Sequence, residues 1–306
     1  MENQTLKSNL LLMLAAAIWG LAFVAQRIGA QYVGSFTFNG IRFALGSLSL
    51  TPLLLFSPQK SEPKSENKST RLLPAGIIAG IVLFMGASLQ QLGLVETSAG
   101  KAAFITGLYI VLVPLFGIFT KHHLSVTSWA GVIIATVGLY FLSVTESFSI
   151  VNGDLLELAG SFFWAGHILL IDYFVKRIDP LKLCLIQFLT CSILSMTVAA
   201  FTENITLFGL EQAIIPILYG GVFSVGIAYT LQAVGQKRAK PAHAAIILSL
   251  EAVFASLGGL LILQEDLGLR GYMGCFLMLT GMLLSQIQSL RKAPGFSENQ
   301  FCDKLN

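Results

Sequence analysis

An all-α integral membrane protein, with ten transmembrane helices arranged as two inverted five-helix repeats, is the fold expected of this 306-residue chain. The expectation rests on a scarcity of charge, on ten apolar runs of spanning length, and on matched residues recurring about 142 positions apart. Charged residues make up 11% of the chain and hydrophobic ones 55%, with a mean hydropathy of +0.75. A soluble domain carries about 25% charged residues, because water must be met by polar surface. The composition therefore excludes an ordinary cytosolic enzyme, a nucleic-acid-binding domain and a disordered chain. The net charge of +3 is too small to suggest a nucleic-acid partner.

The runs fall at 9–28, 35–56, 72–94, 98–119, 125–143, 154–175, 181–201, 212–234, 242–263 and 270–289. A spanning helix needs about 20 apolar residues, whereas a membrane barrel strand has about 10, so the runs predict helices. The first run follows Lys7 and is too long for a secretory signal, so it reads as a retained span behind a short cytoplasmic stretch, 1–8. The second and third are divided by the Ser/Lys/Glu/Pro-rich loop 57–71, and the fourth and fifth by Lys121-His122-His123. Lys176, Arg177 and Lys182 separate the sixth from the seventh. Lys237, Arg238 and Lys240 separate the eighth from the ninth, and Glu265-Asp266 precedes the tenth. A polar tail, 290–306, follows. With the N-terminus in the cytoplasm, fifteen of the nineteen Lys and Arg residues fall on the cytoplasmic side, three fall opposite, and Arg42 lies within a span. That bias predicts a multi-pass cell-membrane protein (the inner membrane if the cell is Gram-negative) with both termini cytoplasmic.

The two halves, 9–143 and 154–289, look alike. Leu89, Gln90, Gly93 and Ala102-Ala103 match Leu231, Gln232, Gly235 and Ala244-Ala245 at an offset of 142, as Pro74 matches Pro216. Trp19 and Phe43 match Trp164 and Phe188 at 145, and Gly131 and Gly138 match Gly274 and Gly281 at 143. Five helices per repeat is an odd number, so the second copy enters the membrane from the opposite side. Inverted repeats of this kind characterise secondary transporters, whose substrate site lies near mid-membrane between the halves.

Polar residues inside the runs mark candidate functional positions, since a charge at the bilayer centre costs about 2.5–3.5 kcal/mol on insertion scales. Glu251, near the middle of the ninth run, is either a proton-coupling or substrate-amine group, or is spent on a structural ion pair or a hydrogen bond that fixes helix packing. Arg42 and Asn39, three residues apart on one face, can hold a carboxylate; alternatively Arg42 snorkels to the interface or pairs with Glu251. Lys101 and His243 occupy equivalent repeat positions, as paired gates or as interfacial caps. Trp19, Tyr109, Trp164, His167 and Tyr229 are candidate cavity residues, with core packing as the alternative. Gln90, Gln91 and Gln232 either bind solute or bond neighbouring helices. Glycines such as Gly76 and Gly80, or Gly271 and Gly274, offer small surfaces for close helix approach. The glycine faces of the fifth and tenth runs are expected either to pack or to form a homodimer.

No phosphate loop, HExxH, Ser-His-Asp order or paired-cysteine signature is present. The four cysteines form no CxxC pair, and His122-His123 has no other ligands near it in sequence. The reading is therefore of a chain that is not an enzyme and has no cofactor and no metal. Its expected partners are a small-molecule substrate, membrane lipid and protons as a coupling ion.

Trp19-Gly20, Ile41-Arg42-Phe43, Thr97 through Phe104, Ser249-Leu250-Glu251 and the Glu265-Asp266 turn together resemble the drug/metabolite transporter superfamily, in its ten-helix EamA-type branch. The likeness covers about 9–289 and departs from the pattern at Ala252, where proline is usual, and at Lys121-His122-His123, where an acidic turn is usual. The resemblance implies carrier-mediated, often proton-coupled movement of small metabolites such as amino acids, usually outward, by alternating access. A uniporter or exchanger, or a non-transporting sensor or lipid-handling protein, is the alternative.

Overall fold

The computed structural model describes residues 2–56, 66–119, 126–143, 151–264 and 268–291. Among these residues every regular element is helical: α1 (Glu2–Gly29), α2 (Ser35–Phe56), α3 (Glu66–Gly93), α4 (Ala99–Gly107), α5 (Tyr109–Phe119), α6 (Val126–Ser143), α7 (Asn152–Val175) and α8 (Pro180–Thr202). Then follow α9 (Leu207–Gln212), α10 (Ile214–Leu218), a π-helix over Tyr219–Tyr229, α11 (Thr230–Gln236), α12 (Pro241–Leu248), α13 (Glu251–Ile262) and α14 (Gly268–Arg291). Helix α1 begins inside the stretch expected to be a tail. His122-His123, Glu265-Asp266 and most of the tail lie outside the described residues.

Among the described residues, eight stretches are long and apolar enough to cross a membrane, one for each of the first four and sixth to ninth runs. Two shorter apolar helices, Trp129–Phe141 and Gly268–Leu284, stand at the fifth and tenth. The protein is thus an all-α, multi-pass membrane protein. Its outer faces carry large apolar side chains such as Leu48, Leu55, Ile193 and Leu261. Its polar side chains turn inward, as a solvent without hydrogen-bonding capacity requires. Local sequence sets the helix ends. Ser98 caps α4 by accepting from the Lys101 backbone N–H, and Asp179 caps α8 ahead of Pro180 at its first position.

The halves interlock. Helix α3 packs chiefly against α7 and α8 of the second half, while the π-helix and α11 pack against α1 and α2 of the first. Equivalent contacts recur: the Ser8 hydroxyl bonds the Gly235 carbonyl, and their repeat counterparts Gly153 and Gly93 also meet. Helices α6 and α14 form the most extensive pairing in the chain. A Cβ on Gly138 would lie 2.7 Å from the Gly274 carbonyl oxygen, and one on Gly281 would lie 2.6 Å from that of Gly131. The glycine faces of the fifth and tenth runs therefore pack on each other within one chain, which answers the choice between packing and dimerising for these four glycines.

Two features depart from simple spanning rods. The fourth and ninth runs are each broken near the middle. The backbone tightens there from i−4 to i−3 bonds, from Leu108 to Ile105 and Val111 to Leu108, and from Leu250 to Ile247 and Ala252 to Ser249. The breaks stand at equivalent places, since Leu108 and Leu250 are 142 positions apart. The eighth run contains the π-helix, eleven residues in which the turn is widened.

The glycine seam carries a stability prediction. Gly281→Val should lower the thermal unfolding midpoint of detergent-purified protein, since overpacking costs about 1–3 kcal/mol. Gly166→Ala, where an added Cβ meets nothing within 4 Å, should leave the midpoint unchanged.

Candidate functional site

The helix breaks and the π-helix surround a central cavity. Its walls come from both halves. From the first come Trp19, Phe23 and Gln26 of α1, Arg42 of α2, Gln90 of α3, Thr106 of α4 and Tyr109 of α5. From the second come Trp164, His167 and Ile168 of α7, Ser224 and Tyr229 of the π-helix, Gln232 of α11, Leu248 of α12 and Glu251 of α13.

Glu251 is the first residue of α13, immediately past the break in the ninth run, and Tyr109 is the first residue of α5, immediately past the break in the fourth. The Tyr109 hydroxyl donates to Glu251 Oε1 at 2.9 Å. The partners are 142 positions apart, the offset that relates the repeats, so equivalent positions of the two halves meet each other here. Starting a helix at Glu251 also places its carboxyl beside the positive end of a half-helix dipole.

Arg42 is buried in α2. Its Nε donates to Asn39 Oδ1 at 2.9 Å, and Asn39 Nδ2 in turn donates to the Ala87 carbonyl at 3.0 Å. The guanidinium lies over the rings of Phe38 and Phe43, 5.6 and 5.0 Å from their centroids. Arg42 and Glu251 line the same cavity without forming an ion pair. The alternative that the two pair is not met: Arg42 bonds Asn39 of its own helix, and Glu251 accepts from Tyr109 of the other half.

Aromatic rings gather on Tyr229. Trp19 meets it edge-on at 4.7 Å and Trp164 stacks at 6.3 Å, with His167, Phe43 and Phe188 around them. Trp19 Nε1 donates to the Ser224 carbonyl at 3.1 Å, inside the π-helix. His167 Nε2 bonds Gln187 Oε1 at 2.9 Å, while its Nδ1 and Trp164 Nε1 are buried without a protein partner. Gln90 Nε2 donates to Gln26 Oε1 at 3.1 Å, so it both lines the cavity and ties α3 to α1. Gln91 is outside the cavity and donates to the Gln26 carbonyl.

Nine of the expected residues are therefore brought together: Trp19, Arg42, Gln90, Tyr109, Trp164, His167, Tyr229, Gln232 and Glu251. Besides Gln91, three are not. Asn39 sits behind Arg42 and holds it. Lys101 pairs with Asp154 at 2.6 Å, joining α4 to α7, and Thr97 donates to the same carboxylate at 2.9 Å. His243, half-buried in the first turn of α12, is also away from the cavity. Gln26, Thr106 and Ser224 escaped the sequence reading, as did Glu157, a fully buried residue of α7. Spacing held a signal for two of them. Gln26 is seven residues from Trp19 and Glu157 seven from Trp164, which places each on the helix face that carries the tryptophan, with Glu157 itself outside the cavity lining.

The comparisons agree with this architecture. The model of the EamA-like transporter family matches twice, over residues 6–144 and 151–286. An uncharacterized transporter of Archaeoglobus fulgidus is 33% identical over 92% of this chain and 87% of its own. The uncharacterized transporter YoaV of Bacillus subtilis is 20% identical over 90% and 95% respectively. A solved crystal structure with 18% identity superposes with a TM-score of 0.76, covering 93% of this chain and 98% of its own, which shows a shared fold.

Asn39 supplies the prediction for the site. Asn39→Ala leaves the buried Arg42 Nε–H without its partner, at a cost of about 1–3 kcal/mol, and removes the second donor to the Ala87 carbonyl. The variant should show a lower unfolding midpoint than wild type by circular dichroism or scanning fluorimetry.

Proposed function

The chain belongs to the EamA-like transporter family, and from that membership we propose that it is a secondary transporter of amino acids or related zwitterions, working by alternating access. The observation that carries this reading is a single cavity holding a cation, Arg42, and a carboxyl, Glu251, that are not spent on each other. A substrate carboxylate suits the guanidinium, whose orientation Asn39 sets. A substrate ammonium suits Glu251, and an apolar body suits the wall of Trp19, Trp164 and Tyr229. Both charged groups stand where helices are broken or widened, the feature that transporters use at their binding sites.

Glu251 also supplies proton coupling in this reading: a proton and a substrate amine compete for one carboxyl, so uptake of one accompanies release of the other. Proton entry along its own gradient then drives substrate outward, making the protein an exporter. The interlocked, repeated halves support two states of similar energy, and ligands shift the balance by binding the states unequally. Lys101 and His243 act at the two faces, where the helices must part. The Lys/Arg bias supports a cell-membrane location with both termini in the cytoplasm.

Proteoliposomes test the reading. With a panel of amino acids and amphipathic cations, flux should be confined to zwitterions and should be driven by a pH gradient. Glu251→Gln should abolish gradient-driven flux while retaining the fold, and Arg42→Ala should lose zwitterion transport. Undiminished coupling in Glu251→Gln, or flux of amphipathic cations alone, contradicts it.

A further inference from the structure

Glu157 is fully buried in α7, yet no cation among the described residues is paired with it. Its Oε2 accepts from the Thr106 hydroxyl at 2.8 Å, and its Oε1 has no hydrogen-bond partner. Thr106 lines the central cavity at the end of α4, next to the break. The other charged groups nearby are already engaged. Asp154, one turn earlier on α7, is held by Lys101 of α4 and by Thr97. Glu96, on the turn after α3, accepts from the Gly153 backbone N–H at 3.1 Å. Glu251 of α13 accepts from Tyr109. An ionised carboxylate with one donor, no cation and one bare oxygen is a costly arrangement in a dry interior.

The repeat supplies its own control. At the repeat offsets Glu157 corresponds to Leu12 and Thr106 to Leu248, and those two leucines share one apolar cluster, both fully buried. The packing partner corresponds too. A Cβ on Gly93 would come within 2.8 Å of Glu157 Cγ, and one on Gly235 within 3.0 Å of Leu12 Cγ. The same niche is thus filled by a leucine pair on one side of the molecule and by a threonine–carboxyl pair on the other. Packing asks only for leucine there.

We propose that Glu157 is a proton-binding site that links protonation to the seating of α4 on α7. With the two helices in contact, the carboxyl is sealed beneath Thr106 and carries a proton. When they part, water reaches it and the proton leaves. Closure thus takes up one proton, so acid favours the closed contact, by up to about tenfold in the equilibrium per pH unit for one linked proton. The Lys101–Asp154 pair has the opposite sign, because protonating Asp154 weakens it. For its place in a transport cycle the inference rests on the alternating-access reading, in which this contact opens one face of the cavity. Its test needs no substrate.

The full chain in lipid nanodiscs serves for two measurements. Infrared spectroscopy near neutral pH should show a protonated-carboxyl band component that Glu157→Gln removes and Glu251→Gln leaves in place. If Glu157→Gln instead removes ionised-carboxylate absorption, the proposal is overturned. Hydrogen exchange at residues 99–107 and 152–160, expressed as protection relative to the intrinsic base-catalysed rate at each pH, should show protection rising as pH falls in Asp154→Asn, where the opposing pair is absent, and that dependence should vanish when Glu157→Gln is added. The double variant Thr106→Leu/Glu157→Leu rebuilds the leucine pair of the other half and should fold with a closed contact insensitive to pH through this site. Persistence of acid-favoured closure in that variant, combined with Asp154→Asn, overturns the proposal, and so does its failure to fold.

Discussion

Hydrocarbon supplies no hydrogen-bond partner, so every polar group this chain carries into the membrane must find one inside the protein. That constraint explains more of the structure than any single contact. It makes every regular element among the described residues helical, turns large apolar side chains outward and buries polar ones, several of them around one cavity. It also makes the two helix breaks informative. A break in lipid exposes backbone groups, whereas here both breaks face the cavity and place Tyr109 and Glu251 in contact with each other.

Duplication gives the cavity its economy, and departures from it give the cavity its chemistry. Trp19 and Trp164, or Gln90 and Gln232, are paired residues that line opposite walls. The charged and titratable groups are not paired in this way. Tyr109 faces Glu251 as its equivalent, Thr106 stands where the other half has Leu248, and Glu157 where it has Leu12. A strictly symmetric site would present like groups to a substrate from both sides. This one presents a guanidinium from α2 and a carboxyl from α13, which suits a ligand with two unlike ends.

Much of the fold was legible because the signals were coarse and numerous. Spanning length and apolar content survive any error at helix ends, and they placed helices at all ten runs. Polar and aromatic residues inside the apolar runs, four of them matched between the repeats, brought most of the cavity residues into view. Local backbone geometry was not legible: Leu108, Ser249 and Leu250 are ordinary residues in an apolar run, and nothing in hydropathy distinguishes an i−3 bond from an i−4 bond. The π-helix was missed for the same reason. Pairing was only half legible. Arg42 and Glu251 were conspicuous as the deepest charges, but Asn39, three residues from Arg42, and Tyr109, one repeat from Glu251, claim their bonds. Glu157 was overlooked because it lies near the start of its run, where a carboxylate usually meets water, whereas the turn after α3 and helix α4 cover it.

The central claim is that one cavity holds both ends of a zwitterion between Arg42 and Glu251. Its most direct test is tryptophan fluorescence of the Trp129→Phe protein in nanodiscs, whose two remaining tryptophans, Trp19 and Trp164, both line the cavity. Neutral amino acids should change the emission saturably. Removing either the carboxylate or the amine from the ligand should weaken binding about tenfold or more, as losing one charged hydrogen bond of about 1.5–3 kcal/mol implies. Equal response to the intact and the truncated ligands, or no response across the panel, would contradict the account.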